Sequence, residues 1–169
     1  MCEIEQLKLR FHKCMTDKLY WWSKQPLSLT FKFDCGRILT IVHGGILPTH
    51  SWKDLEKDIS LCYVRDLDEN GKMIKLKWVE EGGKKVLIPE KLNGNPWHHV
   101  YEGRFGYVAS GHQPQKDGKA KFYNYSCNLD SAVYATGVLT AQIFNNIGLG
   151  ELLTFNGKAY GKGDDSSLS

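Results

Sequence analysis

The chain has 169 residues, 41% of them hydrophobic and 24% charged, a balance ordinary for one globular domain with a sizeable core. A formal charge of +3, with lysines spread over positions 72–85 and 116–121, forms no localised patch and argues against a nucleic-acid partner; those lysines read as solvated strand edges. No apolar run approaches the roughly 20 residues of a membrane span, so no membrane partner is expected.

In chain order, the N-terminus MCEIEQLKLRFHK is too charged for a secretory signal. Ile4, Leu7, Phe11, Met15 and Leu19 recur at helical spacing, which predicts an amphipathic helix over 3–22 ending before Pro26. In LSLTFKF, Leu29, Phe31 and Phe33 alternate with polar residues, as in a half-buried strand. Asp34-Cys35-Gly36 is a turn, and RILTIV, apolar almost throughout, reads as a central strand. Ser51 followed by Asp54 marks a helix start at SWKDLEKDI.

KMIKLKW and KKVLIP, joined through Gly82-Gly83, predict a solvent-exposed hairpin. GRFGYVAS, KAKFYNYS, AVYAT, VLTAQIF and ELLTF read as further short strands. The fold class expected is α/β or α+β, mostly β after residue 27, with one domain over 1–160 and a disordered polar tail over 161–169. Five cysteines, odd in number and never in a C-x-x-C pair, suit free thiols in a reducing, cytoplasmic setting.

Two histidines share a design. His43 and His112 each stand at or one residue past the end of an apolar strand, followed or preceded by glycine. Loops at strand ends are where binding groups are commonly placed. Gly44, Gly45 and Gly111 would let a ligand approach the backbone without meeting a Cβ. Imidazole ligates Zn, Mn, Fe and related ions; two turn histidines with no shared ligand are the alternative. Arg65, in LCYVRDLDENGK, suits either a phosphate-holding guanidinium or a surface strand. Asp130 suits either a carboxylate that orients a histidine ring or the cap of its own turn. Adjacent His98 and His99 point in different directions and read as structural, and so does the aromatic run Tyr20-Trp21-Trp22.

TIVHGGILP, then VASGHQPQ, then CNLDSAVYATGVLTA resemble, in that order, the C-terminal half of a calcineurin-like metallophosphoesterase. This superfamily holds the phosphoprotein phosphatases and the diadenosine-tetraphosphatase-like phosphatases. Val42, His43, Gly44 and Gly45 match the family's V-H-[GA]-G block, and Gly111 and His112 match its G-H block. Leu129, Asp130, Ser131, Tyr134, Gly137, Leu139, Thr140 and Ala141 match the later segment. The resemblance runs from about Leu19 to Phe155 and implies the C-terminal half of a β-sandwich flanked by helices.

It further implies that His43 and His112 coordinate the second of two divalent ions of the Mn, Fe, Zn or Mg class. The substrate implied is a phosphoprotein or a dinucleoside polyphosphate. The family's three earlier blocks, G-D-x-H-G, G-D-x-x-D-R-G and G-N-H-[ED], have no counterpart here. The chain is therefore expected to be a truncated or split phosphohydrolase, inactive alone and completed by an N-terminal half, or else an inactive binding or regulatory module of that fold.

Overall fold

A computed structural model describes residues 25–90, 93–146 and 148–159. The helix expected over 3–22 and the tail over 161–169 lie outside the described residues. Strands β1 (Ser28–Lys32) and β2 (Ile38–Val42) pair antiparallel across the expected turn, where Gly36 takes a positive φ of 82°. Strand β2 then pairs in parallel with β7 (Tyr107–Ser110), and β7 in parallel with β9 (Ser126–Asn128). Antiparallel β8 (Lys121–Phe122) completes a five-stranded mixed sheet ordered β1-β2-β7-β9-β8. RILTIV is central in it, as its apolar character predicts.

The long crossover from β2 to β7 covers one face of this sheet. It carries the two-residue strands β3 (Asp66–Leu67) and β6 (Asn95–Pro96), which pair, and the hairpin β4 (Leu76–Glu81)–β5 (Lys84–Pro89). Gly82 and Gly83 both have positive φ, as a two-residue hairpin loop requires. The short helix α1 (Trp97–Val100) follows β6 directly.

Alternation along the strands divides the core in two. Val42 and Val108 face the crossover and bury against Ile46, Leu55, Leu61, Val64, Leu67, Trp97 and Phe105. Leu39, Ala109 and Cys127 face the other way, against Phe33, Tyr107, Leu129 and Phe144. Phe144 belongs to a separate antiparallel ribbon, β10 (Val138–Asn145) and β11 (Gly148–Asn156). Two polar residues buried on the crossover side, Thr40 and Ser110, are partnered: Thr40 Oγ1 donates to the Phe105 carbonyl (2.8 Å) and Ser110 Oγ to the Cys127 carbonyl (3.2 Å). A mostly β architecture is thus present. No helix among the described residues is long and apolar enough to cross a membrane. Cys35, Cys62 and Cys127 are free thiols.

Three expected elements take other forms, the first being KAKFYNYS, expected as one strand but divided by a bend into β8 and the start of β9. The helix expected near residue 55 is a pair of 3-10 turns, Asp54–Glu56 and Ile59–Cys62. The Ser51–Asp54 capping pair does form, with Ser51 N–H and Oγ–H donating to Asp54 Oδ2 at 2.7 and 2.6 Å. Four residues later the Asp58 carboxylate accepts from Ser60 N–H (2.8 Å) and begins a new turn. Buried His50 ties both ends, its Nδ1 accepting from Leu47 N–H and its Nε2 meeting Ser60 Oγ (3.0 Å) and Asp58 (3.3 Å). Such side-chain bonds compete with a continuing helix.

AVYAT, expected as a strand, holds the helix α2 (Val133–Thr136) between left-handed Ala132 and Gly137. Asp130 Oδ1 accepts from Ala132 N–H, and Thr136 Oγ1 donates back to the Ser131 carbonyl. Local bonding outweighs the β propensity of Val and Tyr there.

His98 is a structural histidine, 5% exposed, between Trp97 and Tyr123, with ring centroids 3.9 and 4.4 Å away. Its Nδ1 meets Ser126 Oγ at 2.9 Å, and Nε2 is buried without a partner. Desolvation, with His99 adding to it, pushes its pKa down from 6.5 to about 3. The unfolded chain therefore takes up a proton below pH 6.5 that the fold refuses, and stability is complete above that pH and falls below it. Urea titrations between pH 6 and 4.5 should lose about 1.4 kcal/mol per pH unit to this one group. His98→Phe should flatten the slope by that amount, whatever its fixed cost; an unchanged slope would contradict the assignment.

Candidate functional site

Three parallel strands end side by side, and each hands a polar residue to the same edge of the sheet. His43 follows β2, Gly111 and His112 follow β7, and Leu129 and Asp130 follow β9. The ladder continues past the strand ends. Gly111 N–H donates to the His43 carbonyl at 2.9 Å, and Leu129 N–H to the Ser110 carbonyl at 2.8 Å. Backbone pairing, not side-chain contact, therefore brings together the His43 and His112 rings, with centroids 4.8 Å apart and planes at 55°.

His112 is held in an uncommon conformation. Its φ is +64°, a left-handed value that disfavours a residue with a Cβ. Gln113 N–H closes a tight turn onto the Gly111 carbonyl (2.7 Å), while Arg65 Nη2 donates to the His112 carbonyl (2.8 Å). Asn128 Nδ2 donates to the Gln113 carbonyl (2.7 Å), and Gln115 N–H to the Asp130 carbonyl (2.8 Å). Strain of this type costs about 1–3 kcal/mol and persists where the surroundings over-determine it. Here four hydrogen bonds do so.

The electrostatics favour neutral imidazole at His112. Desolvation, then the charges of Arg65 and His43, lower its pKa, and only Asp130 opposes them. Its one unprotonated nitrogen is accordingly available near neutral pH. Arg65 stands beside His112 with one arm engaged by the protein, and its Nε is buried without a partner among the described residues. Asp130 caps its own turn, and no hydrogen bond joins it to a histidine ring among the described residues. Its Oδ1 accepts from Ala132 N–H (3.0 Å), and its charge still reaches His112.

The three glycines differ in what they make room for. A Cβ on Gly44 would lie 2.9 Å from the Leu61 carbonyl oxygen and from Cys62 carbonyl carbon. A Cβ on Gly45 would run into the Trp97 indole. The close approach these two allow is that of the protein's own 61–63 backbone and Trp97, with Gly44 and Gly45 both donating to the Leu61 carbonyl (2.7 and 3.2 Å). Gly111 is open by contrast, its nearest would-be neighbour being the His43 carbonyl oxygen at 3.7 Å.

Sequence reasoning missed Tyr63, exposed and edge-on to His112 with centroids 6.4 Å apart, and buried Asn128. A buried amide in CNLD is a signal only once β9 is known to be internal. Among the described residues no group of three or more His, Cys, Asp or Glu is placed to hold a metal ion. Two imidazoles are present, with ring centroids 4.8 Å apart. No protein-family model, curated protein or solved structure matches the chain.

Gly44→Ala and Gly45→Ala should each cost about 1–3 kcal/mol by overpacking, measured as the urea midpoint shift. Gly111→Ala should cost clearly less, because no atom stands in its way. Equal losses at all three positions would contradict these assignments.

Proposed function

We propose that His43 and His112 are two ligands of one divalent cation in a metallophosphoesterase centre of the calcineurin-like type, with the substrate a phosphoprotein or dinucleoside polyphosphate. The observation that carries this reading is the ring pair held 4.8 Å apart at the ends of adjacent parallel strands. Ligands gather at the carboxyl ends of parallel strands in open sheets. The mostly β sheet order with flanking ribbon is compatible with the C-terminal half of such a sandwich.

The division of labour follows from the residues. His43 and His112 would supply neutral nitrogen to the cation, and the lowered pKa of His112 keeps its lone pair free at neutral pH. The carbonyl bond from Arg65 orients the His112 loop, and the guanidinium brings positive charge to the place where phosphoryl oxygens would sit. A bound pair of divalent ions would supply an activated water and a clamp on the phosphoryl oxygens. The remaining ligands would come from residues other than those described, such as a complementing N-terminal half.

A second reading rests on the same edge: an inactive binding or regulatory module that keeps the fold. What favours it is that no third His, Cys, Asp or Glu joins the pair among the described residues.

Calorimetric titration with Mn²⁺ separates the two readings. The phosphoesterase reading expects saturable binding, weakened about tenfold or more in His43→Ala and in His112→Ala, as for loss of a ligand or its support. It expects no appreciable hydrolysis of p-nitrophenyl phosphate by the chain alone. Absence of metal binding would remove this reading and leave the module; turnover by the chain alone, lost in His43→Ala, would contradict the incompleteness.

A further inference from the structure

The opposite end of the same strands holds a second feature. A cleft of about 580 Å³ opens where β2 and β7 begin, between the sheet and the tip of the β10–β11 ribbon. Its size falls in the range of small-molecule sites, about 300–1,000 Å³. Leu39 and Tyr107 line it from the sheet, Phe33 and Tyr125 from the adjoining turns, and Phe144 and Leu149 from the ribbon. Tyr107 spends its hydroxyl on the Ser126 carbonyl (2.9 Å), so its ring is offered as an apolar wall. It stands 6.1 Å from Phe144, centroid to centroid, at 54°.

Among the described residues, Arg37 is the one charged residue of the lining. Its guanidinium lies over Gly148, where a Cβ would collide with Nη1, and Gly148 has a positive φ of 133°. By lacking a Cβ at Gly148 the ribbon tip thus leaves room for the guanidinium. Arg37 already has a partner within the protein. A guanidinium carries five N–H donors in a plane, more than a single acceptor uses.

We propose that this cleft binds a small aromatic anion, its ring among Phe33, Tyr107 and Phe144 and its carboxylate or phosphate at Arg37. Offset and edge-to-face stacking favours a planar ring over an alkyl chain of equal area, and a planar fork suits an oxyanion. The site is separate from the histidine pair and does not depend on it.

The test uses the whole chain with 1-naphthoate as probe and amide NMR as readout. Saturable shifts are expected at Leu39, Tyr107, Phe144 and Gly148, and they should persist in His43→Ala/His112→Ala. Arg37→Met should weaken naphthoate at least tenfold while leaving neutral 1-naphthalenemethanol within about twofold. The proposal is overturned if Arg37→Met leaves naphthoate affinity unchanged. It is overturned equally if the shifts centre on the exposed Leu29, Phe31 and Ile41 face, or if decanoate binds as tightly as naphthoate.

Discussion

Parallel pairing of β2 with β7 and β7 with β9 is the constraint on which the site depends. Leu39 stands opposite Tyr107 and Ser110 opposite Asn128, so the three strands stop nearly level. One further bond, from Gly111 N–H to the His43 carbonyl, carries that register into the loops. Parallel strands need a long crossover, and the segment between β2 and β7 serves that need while covering one sheet face with Leu61, Val64, Trp97 and Phe105. The same segment delivers Arg65 to His112. Core packing and site assembly are therefore one construction, and Gly44 and Gly45 sit where the two meet.

The histidine edge combines opposing demands. Arg65 repels a cation yet adds to desolvation in favouring neutral His112 and holds its carbonyl, and a neutral imidazole is the form that ligates. A phosphate at the same place would offset the guanidinium charge. The strained His112 backbone is retained because Arg65, Asn128, Gln113 and Gln115 each fix part of its loop. Such over-determination is common at binding sites.

The sequence was informative where periodicity and glycine chemistry act locally. The β1–β2 hairpin, the Gly82–Gly83 turn and the β10–β11 ribbon follow from alternation and turn residues. So does the placement of His43 and His112 at strand ends. What was illegible depends on neighbours distant in the chain. Cys127 and Asn128 lie beyond the strand expected at KAKFYNYS, and their place inside the sheet comes from pairing with β7. Ser51, Asp54 and Asp58 are helix-start residues one by one, yet crowded together with His50 they break the helix into 3-10 turns. Gly44 and Gly45 advertise close approach without saying of what; the answer, Leu61–Tyr63 and Trp97, lies in the crossover.

The central claim is that the two rings act on one ion. Ring-nitrogen NMR of the chain labelled with ¹⁵N-histidine, titrated with Zn²⁺, tests it most directly. Zinc binding moves the ligating nitrogen of each imidazole away from its metal-free position. The account predicts that His43 and His112 shift together and complete their change at the same zinc equivalent, while buried His98 stays in place. Independent changes at the two rings, or a change at only one, would contradict it.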